Sequence, residues 1–161
     1  MSTWSEIRAR KQPRETTVVL ALDDDDVLDE LDRARAALAA AEARSTRVPE
    51  NDDAQAALAA ARQRLDDASD AAAEHTVEFR LRSIGRAAYE ELVTEHPAEK
   101  DRGTSQGAHL LAACLIEPAM TLDEALAFVT DPEWSMGEVR EVVNAAHQIN
   151  QQARKVDLGK S

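Results

Sequence analysis

The sequence predicts a mainly α-helical protein, in which an antiparallel helical hairpin of the coiled-coil type is flanked by two short β-strands and followed by a small helical bundle. Three observations predict this class: an apolar heptad pattern in residues 54–72, alternating apolar segments on both sides of the hairpin, and capping residues before short helical stretches. Aromatic residues are only 3% of the chain, so no large globular core is expected.

Residues 1–15 are predicted to form a flexible N-terminal arm. They are polar and basic, with Trp4 and Ile7 as isolated apolar residues and Pro13 as a helix breaker. Trp4 is therefore a candidate anchor for a partner. Residues 16–22 are β-branched and apolar, which is typical of a short strand.

Two helices are predicted between the strands. Apolar residues follow a helical period from Val27 to about Arg44, and a turn at 45–51 separates them from the second, heptad-patterned helix. Helices of about 22 residues joined by a short loop fold back as an antiparallel pair. The alternating residues 75–82 form the second strand, which should lie beside the first because the hairpin returns the chain to its start. Residues 16–82 thus make up this unit.

Residues 83–150 are predicted to form the helical bundle, and residues 151–161 a flexible C-terminal tail. Two Ser/Thr-x-x-Glu capping boxes start helices there, at Thr121 and at Ser135. The expected helices of the bundle are 86–95, 105–116, one from the first box to about 130, and one from the second box to about 150. The helix after Thr121 is expected to bury Leu122, Ala125, Leu126 and Val129.

The chain is acidic, with a formal net charge of −12, and residues 23–74 hold 6 basic and 15 acidic side chains. The negative electrostatic field of such a chain repels phosphate backbones, so nucleic acid is a poor candidate partner. A basic or apolar protein is a better one. The alternative is that the acidity only keeps the chain soluble. No segment reaches the roughly 18 apolar residues of a membrane span, and the start lacks a signal-peptide pattern. A soluble cytoplasmic protein is expected.

The side chains that could react or bind a metal do not form a recognisable active site. The only cysteine, Cys114, lies in an apolar run and is predicted to be buried, and the four histidines lack the spacing of a metal site. The run Asp23–Asp26 has the carboxylates of a calcium site but no glycine at the turn position and no downstream glutamate, so helix capping is favoured. No catalytic residue, cofactor or metal is predicted, and we do not expect an enzyme.

Apolar residues of the bundle are candidates for binding a protein partner. Trp134 is either an exposed anchor or a staple that packs against the helix after Ser135, and the staple is favoured. The aliphatic candidates are interpreted first as core and second as the lining of a groove for a partner helix. The candidate partner-binding residues are Trp4, Leu110, Leu111, Leu115, Leu126, Trp134, Val139 and Val143.

The order of these parts resembles the tail assembly chaperones of long-tailed phages that infect actinobacteria. The similarity covers nearly the whole chain: a β-like segment, an acidic helical hairpin, then Tyr89, Leu92 and a series of short segments. Those segments are 79–86 (FRLRSIGR), 95–97 (EHP), 112–118 (AACLIEP), 134–138 (WSMGE) and 144–150 (NAAHQIN).

The resemblance implies a protein that coats the tape measure protein, keeps it soluble and helps tail tube subunits polymerise around it. It further implies a homo-oligomer in the host cytoplasm, absent from mature virions, with possible contact to the tail tube protein. A longer form made by ribosomal frameshifting near Leu158–Ser161 is also implied. The alternatives are a head–tail connector or minor tail protein of the virion, and a general coiled-coil adaptor.

Overall fold

A computed structural model describes residues 3–23 and 26–153. The protein is mainly helical, with 68% helix and a small three-stranded antiparallel sheet, which confirms the predicted class. The chain divides into two compact units, one formed by Met1–Val18 and Glu78–Ser161, called here the bundle unit, and one formed by Val19–Val77, called here the hairpin unit.

The described residues form seven α-helices and three strands. The helices are α1 (Trp4–Arg10), α2 (Asp26–Arg47), α3 (Asp52–Ala72), α4 (Arg86–Glu95), α5 (Thr104–Cys114), α6 (Leu122–Thr130) and α7 (Met136–Gln151). The strands are β1 (Glu15–Ala21), β2 (Thr76–Arg82) and β3 (Leu115–Glu117). Short 3-10 turns lie at Ala73–His75 and Ala98–Lys100.

Helix α1 lies in the segment for which the sequence predicts only a flexible arm. A complete capping box starts it: the Thr3 N–H donates to Glu6 Oε2 at 2.7 Å, and the Glu6 N–H donates to Thr3 Oγ1 at 3.4 Å. No residue of α1 is buried. The Thr-x-x-Glu signature was present in the sequence, as at Thr121, but the few apolar residues around it gave no helical period.

In the hairpin unit, α2 and α3 pack against each other. Arg64 on α3 donates to Glu30 near the start of α2 at 2.8 Å, and Gln55 at the start of α3 donates to Ser45 near the end of α2 at 2.9 Å. Asn51 caps α3 by accepting the Ala54 N–H at 2.9 Å.

The buried contact of the hairpin unit is made largely of alanine. Leu31, Ala34, Ala68 and Ala72 form one buried cluster, and Val27, Leu28 and Leu65 pack on it partly exposed. Alanine has no side-chain entropy to lose and lets two helices approach closely, but it removes little apolar area from water.

Part of the predicted Asp23–Asp26 cap lies outside the described residues, because Asp24 and Asp25 are not described. Asp26 is the first residue of α2, and the Asp23 carboxylate lies 3.0 Å from His75 Nδ1. The proposed frameshift segment Leu158–Ser161 and the rest of the predicted tail from residue 154 also lie outside the described residues.

The sheet has the order β1-β2-β3, which confirms that the two predicted strands are neighbours. The third strand corrects the prediction of a helix to Ile116, since α5 ends at Cys114 and Leu115–Glu117 pairs antiparallel with β2. Two local reasons favour extended backbone there: Ile116 is β-branched, and Glu117 precedes Pro118. Pairing with Arg80 and Leu81 then satisfies the backbone of this segment.

The bundle unit has a core of larger side chains. Three aromatic rings meet in it: Phe79 of β2 lies 5.3 Å from Phe128 of α6, and Trp134 lies 5.2 Å from Phe128 and 6.3 Å from Phe79, measured between centroids. The most deeply buried large side chains of this unit are Phe79, Leu81, Leu110, Leu111, Val142 and Cys114. The predicted burial of Cys114 is therefore confirmed.

Two predicted helix starts of the bundle are confirmed in detail. Thr121 and Ser135 are the N-caps of α6 and α7, and each forms a reciprocal capping box with the glutamate three residues later. These bonds lower the pKa of Glu124 and Glu138 below the usual range, because Thr121 and Ser135 donate to the ionised carboxylates. The predicted boundaries of α4 are also confirmed.

Candidate protein-binding surfaces

The structure buries several residues that were candidates for partner binding. Leu110, Leu111 and Leu115 are core residues of the bundle unit, which agrees with the first of their two interpretations. They offer no surface to a partner in this conformation. Val139 and Val143 are half-buried on α7, beside the buried stripe Val142, Ala146 and Ile149.

Trp134 is half-buried and lies directly before the N-cap Ser135. Its ring contacts are with Phe79 and Phe128, which belong to β2 and α6 rather than to the first turns of α7. Trp134 therefore helps to join three elements of the bundle unit, and most of its energetic contribution should be to folding.

Helix α6 presents its leucines to solvent, which corrects the prediction that it buries them. Leu122 and Leu126 are 41% and 43% exposed, whereas Ala125 and Phe128 face the core. The ring of Phe128 determines this orientation, because its contacts with two other aromatic rings outweigh the burial of the aliphatic side chains. Leu126 is thus an exposed candidate, and Leu122, one turn earlier, is an exposed residue that the sequence assigned to the core.

A groove lined by α4, α5 and the first residue of α6 combines apolar side chains with an acidic rim, and we call it the acidic groove. Its volume is about 390 Å³. The carboxylates of Glu91 and Glu95, one helical turn apart on α4, stand at its rim, and neither forms an ion pair within the described part of the chain. The apolar lining residues are Ala88, Leu92, Ala112, Ala113 and Leu122.

Two stacked imidazole rings form one wall of the acidic groove. The rings of His96 and His109 lie 3.5 Å apart between centroids and are inclined by 20°. His109 Nδ1 donates to the Ser105 carbonyl at 2.8 Å, and Gln106 Nε2 donates to the His96 carbonyl at 2.8 Å. These bonds hold the wall in place, and a flat aromatic surface of this kind suits contact with another ring.

A second groove of the bundle unit, about 770 Å³ in volume, is lined mainly by amide and other polar side chains. Tyr89, His147 and Gln151 form a hydrogen-bonded chain in it: Gln151 Nε2 donates to the Tyr89 hydroxyl at 2.6 Å, and that hydroxyl lies 2.7 Å from His147 Nδ1. The hydroxyl accepts from Gln151, and it donates its own proton to Nδ1 when the neutral imidazole carries its hydrogen on Nε2.

Burial determines the protonation state in this second groove. It lowers the pKa of His147 and raises the pKa of Tyr89, so both side chains are neutral near pH 7. Burial likewise raises the pKa of the Cys114 thiol, which accepts a hydrogen bond from Asn150 Nδ2 at 3.4 Å. A buried thiol of this kind is a poor nucleophile.

Among residues 3–23 and 26–153, no group of three or more His, Cys, Asp or Glu side chains is placed to hold a metal ion. No helix in the same ranges combines the length and apolar character needed to cross a membrane. Comparisons of the chain with models of known protein families, with curated proteins and with solved structures each gave no match.

Proposed function

We propose that this protein is a phage tail assembly chaperone that binds the tape measure protein, keeps it soluble and assists polymerisation of the tail tube. The proposal combines the resemblance of nearly the whole chain to that family with one structural observation. That observation is the exposed pair Leu122 and Leu126 on α6 of an acidic, mainly helical protein.

The exposed pair has the spacing needed to contact a helical client. Leu122 and Leu126 are four residues apart, so they project from the same side of α6 one above the other. An amphipathic helix recognises a partner helix through apolar residues at such spacings. We therefore assign the tape measure contact to this side of α6.

The charge of the chain supports the same role. A chaperone that covers a long apolar helix must keep the complex from aggregating, and a net charge of −12 gives each bound copy a repulsive field. Non-covalent binding, with no reaction, is sufficient for that role, so the proposed protein is not an enzyme.

Co-expression with the tape measure protein, followed by affinity capture of the tagged chaperone, tests the proposal. We expect the client to be soluble and captured with wild-type protein, and both effects to be reduced about tenfold or more by Leu126→Lys, which removes an apolar contact and adds a charge. Ala127→Lys is the matched control, because Ala127 is an exposed neighbour on α6 and the added charge is the same.

Two outcomes would contradict the proposal. The first is a wild-type protein that neither associates with the client nor changes its solubility. The second is mass spectrometry of purified particles that finds this chain at structural copy number, which would favour a head–tail connector or minor tail protein instead.

A further inference from the structure

We propose that α1 of one copy docks in the acidic groove of a second copy, so that this chain associates with itself head to tail. A homo-oligomer is implied by the family resemblance, but that resemblance gives no surface for it. Both docking elements belong to this chain. Leu122 lines the acidic groove and also belongs to the client surface proposed above, so a client and a second copy compete for this side chain, and the test below is made without client.

The first argument is that α1 lacks the packing that normally holds a helix of its length. It has seven residues and buries none of them, and Trp4 and Ile7 are 75% and 49% exposed. Isolated helices shorter than about 12–15 residues are marginal in water even with good sequences. A helix this short, with a complete capping box and an aromatic residue on its surface, therefore needs a partner surface to be stable.

The second argument is the distribution of apolar and basic residues on α1. Trp4 and Ile7 are three residues apart and share one side of the helix, and Arg8 and Lys11 continue that side. Arg8, Arg10 and Lys11 make no ion pair within the described residues. The helix thus presents an aromatic and an aliphatic side chain next to a cluster of unpaired cations.

The third argument is that the acidic groove has the complementary chemistry. Five of its lining residues are alanine or leucine, one wall is the flat His96–His109 stack, and the carboxylates of Glu91 and Glu95 are unpaired within the described residues. Its volume of about 390 Å³ lies within the range of about 300–1,000 Å³ typical of binding pockets. Trp4 and Ile7 suit its apolar side chains and its wall, and the cations of α1 suit its rim.

The docking element and the receiving groove are different surfaces, so the contact is heterologous. Each copy that offers α1 to one neighbour keeps its own groove free for another, which generates an open chain or a closed ring. Because the contact is heterologous, two differently damaged proteins can complement each other. In an isologous dimer, each damaged surface would impair the contact in the mixture as well.

The experiment uses full-length protein without client, in analytical ultracentrifugation. Wild-type protein should associate as its concentration rises. Trp4→Ala should abolish association by damaging only α1, and the pair Glu91→Lys/Glu95→Lys should abolish it by damaging only the groove. An equimolar mixture of these two proteins should form one-to-one dimers, because the intact α1 of the second fits the intact groove of the first.

Controls and a spectroscopic measurement make the test specific. Asp66→Lys/Asp70→Lys on α3 changes the same charge at the same spacing, and it should associate like wild type. Trp134→Phe retains an aromatic ring in the core and leaves Trp4 as the only tryptophan, whose emission should shift to the blue as the protein associates. Arg8→Glu/Lys11→Glu should weaken association about tenfold, and combining it with Glu91→Arg/Glu95→Arg in one chain should restore it.

Three results would overturn the inference. One is wild-type protein that stays monomeric at several hundred micromolar, and another is a mixture of the two damaged proteins that remains monomeric. The third is Trp4 emission that is already blue-shifted in the monomer and unchanged on dilution, which would place α1 on its own chain. A failure to capture the tape measure protein would leave all three measurements unaffected.

Discussion

The two units of this chain bury different kinds of side chain between their helices. The hairpin unit buries four alanines and two leucines, Leu31 and Leu58, on its two long helices, and the exposed ion pair Glu30–Arg64 connects these helices. The bundle unit buries Phe79, four leucines and Val142, with three aromatic rings in mutual contact.

The difference shows that helical content and stability are separate properties. Each buried methyl or methylene group contributes about 0.8 kcal/mol, whereas ordering the backbone costs about 1–2 kcal/mol per residue. An alanine seam therefore offsets little of that cost, and an exposed pair such as Glu30–Arg64 adds little more. We expect amide hydrogens of α2 and α3 to exchange faster than those of α5 and α7.

The largest expected effect comes from removing the central ring of the bundle unit. Phe79→Ala should lower the free energy of unfolding by about 3–5 kcal/mol, because it deletes two aromatic contacts and leaves a cavity. Leu31→Ala in the hairpin unit should cost about 2–3 kcal/mol, since its buried neighbours are alanines and its larger neighbours are partly exposed. Urea denaturation, with hydrogen exchange to assign each loss to a unit, measures both.

The comparison of the two units depends on which of these substitutions lowers the free energy of unfolding more. A larger loss from Leu31→Ala than from Phe79→Ala would mean that the alanine seam, and not the aromatic cluster, supplies most of the stability. Phe79→Leu is the conservative control. Its loss of stability should be less than half of the loss caused by Phe79→Ala, because most of the side-chain volume remains.

A smaller effect is expected from the backbone of the bundle unit. Gly85 precedes α4 with φ 87° and ψ 157°, a conformation that is open almost only to glycine. Gly85→Ala should therefore cost about 1–3 kcal/mol in the free energy of unfolding, although no heavy atom of the described residues, apart from the two chain neighbours, lies within 4 Å of the added methyl carbon. Urea denaturation measures this loss.

Gly137 provides the matched control. It lies in the first turn of α7, and the nearest atom to an added Cβ is Ser135 Oγ at 3.8 Å. Gly137→Ala should raise stability by about 0.5–1 kcal/mol. Equal effects of the two substitutions would show that the positive φ of Gly85 is not required, and that side-chain packing alone specifies this unit.

Local signals in the sequence were sufficient for most helices and strands. The capping boxes at Thr121 and Ser135 and the alternation in β2 depend on neighbouring residues, so the elements could be read directly from the order of residues. Strand β3 could not, because Leu115–Glu117 becomes a strand by pairing with residues about 35 positions earlier.

The side of α6 that faces the core also could not be predicted from neighbouring residues in the sequence. Leu122, Ala125 and Leu126 form an apolar stripe of helical period, and so do Ala125 and Phe128, and the sequence gives no reason to prefer one. The rings of Phe79 and Trp134 make the choice, and Phe79 lies about 50 positions earlier in the sequence than Phe128. The exposed leucines of the candidate surface follow from that choice.

The smallest effect that we expect concerns pH and again separates the two units. Burial lowers the pKa of His147 in the bundle unit, so the folded state favours the neutral imidazole more than the unfolded state does. The stability linked to this group is therefore fully present above about pH 6.5 and is lost as pH falls through the lower folded pKa. Lowering the pH from 7 to 5 should therefore lower the free energy of unfolding of the bundle unit.

His147→Asn should remove this pH dependence, because the amide oxygen of asparagine can still accept the Tyr89 hydroxyl proton but does not titrate. His109→Asn, which replaces another histidine of the same unit, should keep it. Urea denaturation at pH 7 and at pH 5 provides the measurement, with hydrogen exchange in α2 and α7 to locate the loss. A loss of protection in α2 alone would reverse the comparison, since acid would then act on the alanine seam rather than on the buried imidazole.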